Sequence, residues 1–236
     1  MILAAGLGTR LGDLTRDTPK ALIDVGGVPI IERVARRLID AGADHLIINV
    51  HHHADRIIEF VQSRDGFGVD VSFSREETAP LETGGGLLLA RSLFRRDGSF
   101  FLHNVDVLCD ADLYRMYTTH VHSGVVATLA VNRRQTSRTL LFDEHGLCGR
   151  MDTRGGGHAE VHTDCLDPVP FAFAGIHVIA PALLDMITET GAFSIIDLYL
   201  RLAAEGRPIA KHDIGNAKWF EIGNPERLAE ARRAFN

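Results

Sequence analysis

The 236-residue sequence predicts an α/β protein: one domain (1–236) built on a Rossmann-like mixed sheet, mostly parallel and flanked by helices. Three observations predict it. Apolar runs of strand length alternate with segments of helical periodicity. The first strand runs straight into a glycine loop, as expected of ligand sites at strand ends in open sheets. Length and an apolar content of 45% suit one sizeable core.

Ile2 to Ala5 reads as a short buried strand. Pro29 opens a helix to about Asp40, with Ile30, Ile31, Val34 and Leu38 on one face and Gly42 ending it. Leu46 to Val50 is a strand, Ala54 to Gln62 a helix, and Val69 to Phe73 an alternating strand. Gly86 to Leu93 is a helix entered through glycines. Phe100 to His103 and Val125 to Val131 are strands. Leu140 to Asp167 is glycine-rich and weakly periodic, which predicts a hairpin and a mobile excursion. Phe171 to Ile179 is a strand, Pro181 starts a helix, Ser194 caps another to Ala204, and Asn224 caps the last.

Net charge is −6 and no long basic run occurs, which argues against nucleic acid as a partner. The pairs Arg95-Arg96 and Arg133-Arg134 read as solvated surface. No window has the ~18 apolar residues of a membrane span, and no signal-peptide core is visible. Cys109, Cys148 and Cys165 form no C-x-x-C pair and read as small apolar fillers, as suits a cytoplasmic protein. The run His51-His52-His53 follows a strand at a turn and has no matching ligand set, so it reads as surface loop.

The first loop carries Gly6, Gly8, Thr9, Arg10 and Gly12, with Lys20 behind Pro19. Glycines let backbone N–H groups approach a phosphate chain, and two cations lie close by in sequence. The spacing is not that of a dinucleotide fold, since Leu11 stands where the third glycine belongs and the acid expected after the second strand is missing. No Gly-Lys dipeptide is present, which excludes a Walker A loop.

Gly6-Leu-Gly-Thr-Arg-Leu11 followed by Thr18-Pro-Lys-Ala-Leu22 resembles the signature of sugar-1-phosphate nucleotidyltransferases, which have a GT-A-like fold. Leu81-Glu-Thr-Gly-Gly-Gly86 is similar to the second nucleotide loop of the N-acetylmuramate-1-phosphate uridylyltransferase branch. Mannose-1-phosphate guanylyltransferase-like members are also near. Asn104-Val-Asp106, Phe173-Ala-Gly-Ile-His177 and Trp219-Phe-Glu-Ile-Gly223 extend the resemblance over nearly the whole chain.

That resemblance implies an enzyme moving a nucleotidyl group from an NTP, UTP or GTP, to a sugar 1-phosphate, with Mg2+. It implies Arg10, Lys20 and Asp106 as catalytic residues. Leu3, Ala4, Ala5, Gly6, Gly8, Thr9, Arg10, Glu82, Gly84 and Gly85 would bind the nucleotide, with Glu82 accepting from a base N–H or a ribose hydroxyl. Gly175 and Asn216 would touch the sugar. Asp106 and Glu221 would hold the metal; Asp110 and Asp112 read as helix-start residues. Glu221 stands where the family has an aspartate, and Val105 where Gly or Ala is usual. These departures leave a second reading open, a catalytically impaired nucleotide-sugar-binding regulator. Self-association is left open too.

Overall fold

Ile2 and Leu3 are adjacent in sequence, yet they belong to different apolar clusters, as do Ile47 and Ile48. Side chains of a strand alternate between faces, so the two clusters are the two sides of one sheet. A computed structural model describes residues 1–16, 18–161 and 165–235 of the chain. Its strands are β1 (Ile2–Leu3), β2 (Asp24–Val25), β3 (Val28–Pro29), β4 (His45–Val50), β5 (Asp70–Arg75), β6 (Phe100–Asn104) and β7 (Val107–Cys109). They continue as β8 (Ala127–Asn132), β9 (Arg138–Phe142), β10 (Leu147–Asp152), β11 (His158–Val161), β12 (Val169–Ile179), β13 (Ile209–Asp213) and β14 (Trp219–Glu221). The α-helices are α1 (Ile30–Asp40), α2 (Ala54–Ser63), α3 (Glu82–Leu89), α4 (Leu113–Ser123), α5 (Ile195–Ala204) and α6 (Pro225–Ala234).

The large sheet runs β11-β10-β9-β12-β6-β1-β4-β5, with β8 against β12 and β13 against β8. β1 lies parallel between β4 and β6, and β5 extends this side parallel to β4. Their C-terminal ends therefore converge at one edge. β12 is antiparallel to β6 and β8, then bulges between Phe173 and His177. Gly175 sits in that bulge with φ 77°, and an added Cβ would stand 2.8 Å from Val107. Beyond the bulge β12 pairs with β9, so the antiparallel side turns away from the parallel one.

Helix ends follow the sequence signals. Ser194 and Asn224 cap α5 and α6 by accepting from Ile196 and Arg227 N–H. Asp112 caps α4 through Arg115 N–H. Asp110 is no cap: its carboxylate accepts from Lys218 N–H and fixes the approach to β14. The helix expected from Gly86 begins earlier, at Glu82, and Pro181 opens a 3-10 turn rather than an α-helix.

The excursion is more regular than expected, since β9, β10 and β11 form successive antiparallel pairs. Cys148 and Cys165 are joined by a disulfide, which corrects their reading as apolar fillers. They are 17 residues apart, and only the return of the chain past β10 brings them together, so spacing gave no sign. Cys109 is free and buried. Among the described residues no helix is long and apolar enough to cross a membrane.

Candidate active site

Gly8 adopts φ 67° and Gly12 φ 57°, which lets the loop after β1 coil tightly into a 3-10 turn. Thr15 fastens it, its hydroxyl lying 3.0 Å from Gly8 O and 3.1 Å from Gly12 O. The loop forms one wall of a cavity of about 420 Å3 at the C-terminal edge of the parallel strands. Leu3, Ala4, Ala5, Gly6, Gly8, Thr9, Arg10, Lys20, Glu82 and Asp106 all line it.

Gly84 and Gly85 do not line that cavity. A Cβ on Gly84 would stand 2.2 Å from the Phe193 ring, and one on Gly85 2.5 Å from Gly191 O. These glycines let α3 pack closely on the turn before α5, and their N–H groups donate to Phe193 O. Glu82 itself takes φ 58° at the start of α3 and turns its residue to the cavity.

A second cavity, about 720 Å3, opens on the antiparallel side. Gly175 and Glu221 line it; Asn216 does not, lying exposed in the turn between β13 and β14. Asn104 and Asp106 line both cavities and so mark their seam. There Lys20 Nζ donates to Asp106 Oδ2 at 2.6 Å, with both side chains largely buried. β14 pairs with β7, setting Glu221 opposite Val107, and Ile222 N–H donates to Asp106 O. Arg227 from α6 holds Glu221 Oε2 at 3.1 Å, and Arg10 lies 3.9 Å from Oε1. Each carboxylate at the seam is thus faced by a cation that a phosphate could draw away.

Two residues were not legible as site residues. Asn49, at the end of β4, and Glu76, just beyond β5, line the first cavity and are almost completely buried. Asn49 Nδ2 donates to Glu76 Oε1 at 3.0 Å, and Leu81 N–H donates to Oε2 at 2.8 Å. The available signal was a polar residue next to the end of an apolar parallel strand. His51 Nδ1 lies 2.7 Å from Glu76 O, so one member of the histidine run braces this corner. His52 is exposed, in keeping with a surface turn.

Asp106 and Glu221 both line the second cavity, and two carboxylates with phosphate oxygens to complete the shell are a donor type that suits a hard divalent cation. Asn104, which lines the same cavity, has its Oδ1 buried with no hydrogen-bond partner among the described residues, an acceptor left for a bound group.

The sequence profile of the family described as nucleotidyl transferase matches residues 1–140. N-acetylmuramate alpha-1-phosphate uridylyltransferase of Caulobacter vibrioides is 32% identical over 247 aligned positions, covering 99% of this chain and 96% of that protein. The mannose-1-phosphate guanylyltransferase catalytic subunit beta of Xenopus tropicalis is 29% identical, over 96% of this chain and 61% of that protein. The chain therefore spans less than two thirds of that guanylyltransferase's length. Two solved structures share the fold. UTP-bound UGPase from Acinetobacter baumannii has a TM-score of 0.79 at 18% identity, covering 99% of this chain and 91% of its own. HddC from Yersinia pseudotuberculosis has a TM-score of 0.77 at 22% identity, covering 100% and 98%.

Proposed function

The chain belongs to the nucleotidyl transferase family, and from that membership we infer an enzyme that moves a nucleotidyl group from an NTP to a sugar 1-phosphate. UTP is the expected donor, because the relative matched along nearly its whole length is a uridylyltransferase. The observation that carries this reading is the seam: two cavities, one under a glycine loop, meet at Asn104 and Asp106.

In the reaction an acceptor phosphate oxygen bonds to the α-phosphorus, and the bond from that phosphorus to the bridging oxygen breaks. The electron pair leaves on pyrophosphate. A phosphate anion is already a nucleophile near neutral pH, so no general base is needed; the work is orientation and charge neutralisation. The glycine loop would cradle the NTP phosphates and Arg10 would meet the leaving β and γ groups. Lys20 can swing from Asp106 to a phosphate. Asp106 and Glu221 would hold Mg2+, which when bound supplies positive charge against the phosphates. Glu82, Asn49 and Glu76 lie where base and ribose groups would enter. NTP dependence suits the cytoplasm, and the sheet shared by both cavities suits action as one domain.

The test is pyrophosphate release with Mg2+, across UTP, GTP, CTP, dTTP and ATP, against N-acetylmuramate 1-phosphate and mannose 1-phosphate. The expected result is turnover, strongest with UTP. Tight NTP binding without turnover on a wider acceptor panel would overturn the enzyme reading and favour a regulator.

A further inference from the structure

Arg133 and Arg134 read alike in the sequence, but the structure separates them. Arg133 points outward, 3.8 Å from Asp213, with 70% of its side chain exposed. Arg134 turns into the second cavity. Its Nη1 donates to Asn132 Oδ1 at 2.8 Å and its Nη2 to Phe173 O at 2.7 Å. Its guanidinium carbon lies 3.9 Å from the Trp219 ring centroid, and Trp219 is fixed in turn by Nε1 donating to Ala174 O at 2.9 Å. Trp219 and Glu221 are two residues apart on β14 and share a face, so the stacked guanidinium stands on the Glu221 side of the cavity.

The other cations of this cavity are spoken for or lie outward. Arg150 pairs with Glu160 and Asp197, and Arg154 pairs with Asp152. Arg138 is exposed, opposite Asp152 in the β9–β10 register. Among the described residues no carboxylate lies within ion-pair distance of Arg134. Its two protein acceptors are neutral and occupy two of five N–H groups. Burial lowers its pKa, with the nearby Glu221 carboxylate opposing that shift. A guanidinium held flat by a ring, with donors to spare and no counter-charge in contact, is built to take a phosphate in a fixed orientation.

We propose that Arg134 receives the phosphate of the sugar 1-phosphate and orients it toward the seam at Asp106 and Glu221. The proposal rests on the nucleotidyl-transfer reading above. Arg134 forms and breaks no covalent bond. It binds the attacking phosphate and limits its rotation, leaving one oxygen to face the α-phosphorus.

The test compares wild type with Arg134→Ala and Arg134→Lys, varying each substrate at saturation of the other. The acceptor is whichever of N-acetylmuramate 1-phosphate and mannose 1-phosphate the wild type turns over faster. Loss of a charged hydrogen-bonding partner is expected to raise the acceptor KM about ten- to a hundredfold in the Ala variant. The NTP KM should stay within about twofold, since Arg134 lies outside the first cavity. The Lys variant should fall between, because it restores charge without the planar fork. Added guanidinium ion should recover part of the Ala variant's activity. An unchanged acceptor KM overturns the proposal, whatever happens to kcat. So does a parallel rise of both KM values with a lowered melting temperature, which marks a structural role. If the wild type releases no pyrophosphate with any pair, the enzyme reading fails. Calorimetric titration of both sugar phosphates then decides the inference separately: binding by wild type and loss in the Ala variant supports it, and anything else overturns it.

Discussion

Asp106 lines both cavities, as Asn104 does, and it alone of the two is charged, pairing with Lys20 at 2.6 Å. Asp106→Ala is expected to lower Mg2+-dependent turnover by about 10²–10³-fold, the scale of losing one preorganised electrostatic contact. UTP affinity should change only a fewfold, because the glycine loop and Arg10 remain. Steady-state kinetics beside calorimetric UTP binding check it, and normal turnover would remove Asp106 from the site. Arg10 and Lys20 were legible as cavity residues because each sits in a local pattern whose backbone form is set by glycine or proline, and Asp106 because it stands just past the end of a buried strand. Glu76 and Arg134 were not. Glu76 is joined to the cavity by the β4–β5 pairing, and Arg134 by a ring 85 positions away in sequence; nothing local marks either contact.

At the scale of elements, the strand and helix alternation was legible from periodicity, and so were the caps Ser194 and Asn224. In the region 140–167 the hairpin was legible as β9 and β10, but the third strand β11 was not, because it is short, fully exposed and follows a glycine-rich turn, so it carries little alternation. Among the described residues, β9 is tied to β12 by pairing, and Cys148 at the start of β10 is tied to Cys165 by the disulfide. A cross-link closing a loop of this size is worth about 3 kcal/mol in the chain-entropy view. Reduction should therefore loosen the segment bearing Arg150, Asp152 and Arg154, which line the second cavity, and leave the β1–β4–β6 side intact. The expected outcome is tryptic cleavage after Arg154 at least about tenfold faster in dithiothreitol and in Cys165→Ser, a rise that needs only ~1.4 kcal/mol of easier opening. Equal rates in all three samples would mean that the bond does not hold the excursion.

For the whole molecule, the sheet buries titratable groups at its centre and ties stability to pH. His103 on β6 and His177 on β12 are almost fully buried, and burial lowers their pKa values to about 4 and about 3 from 6.5. His177 Nδ1 meets the Tyr199 hydroxyl at 2.9 Å, while its Nε2 is buried without a partner among the described residues and would carry a proton there unsolvated. Both rings are therefore neutral in the folded chain when the unfolded chain begins to protonate them. The unfolded state binds more protons below pH 6.5, so this contribution is fully present above that value and is lost as pH falls toward the folded pKa values. Each ring costs about 1.4 kcal/mol per pH unit across the window, so stability should already drop by several kcal/mol between about pH 7 and 5, above the range where most carboxylates titrate. Urea unfolding across that interval would show the midpoint falling. The slope should be shallower in His177→Gln, which cannot charge. A midpoint that does not move between pH 7 and 5 would mean that the two rings are not held neutral in the core.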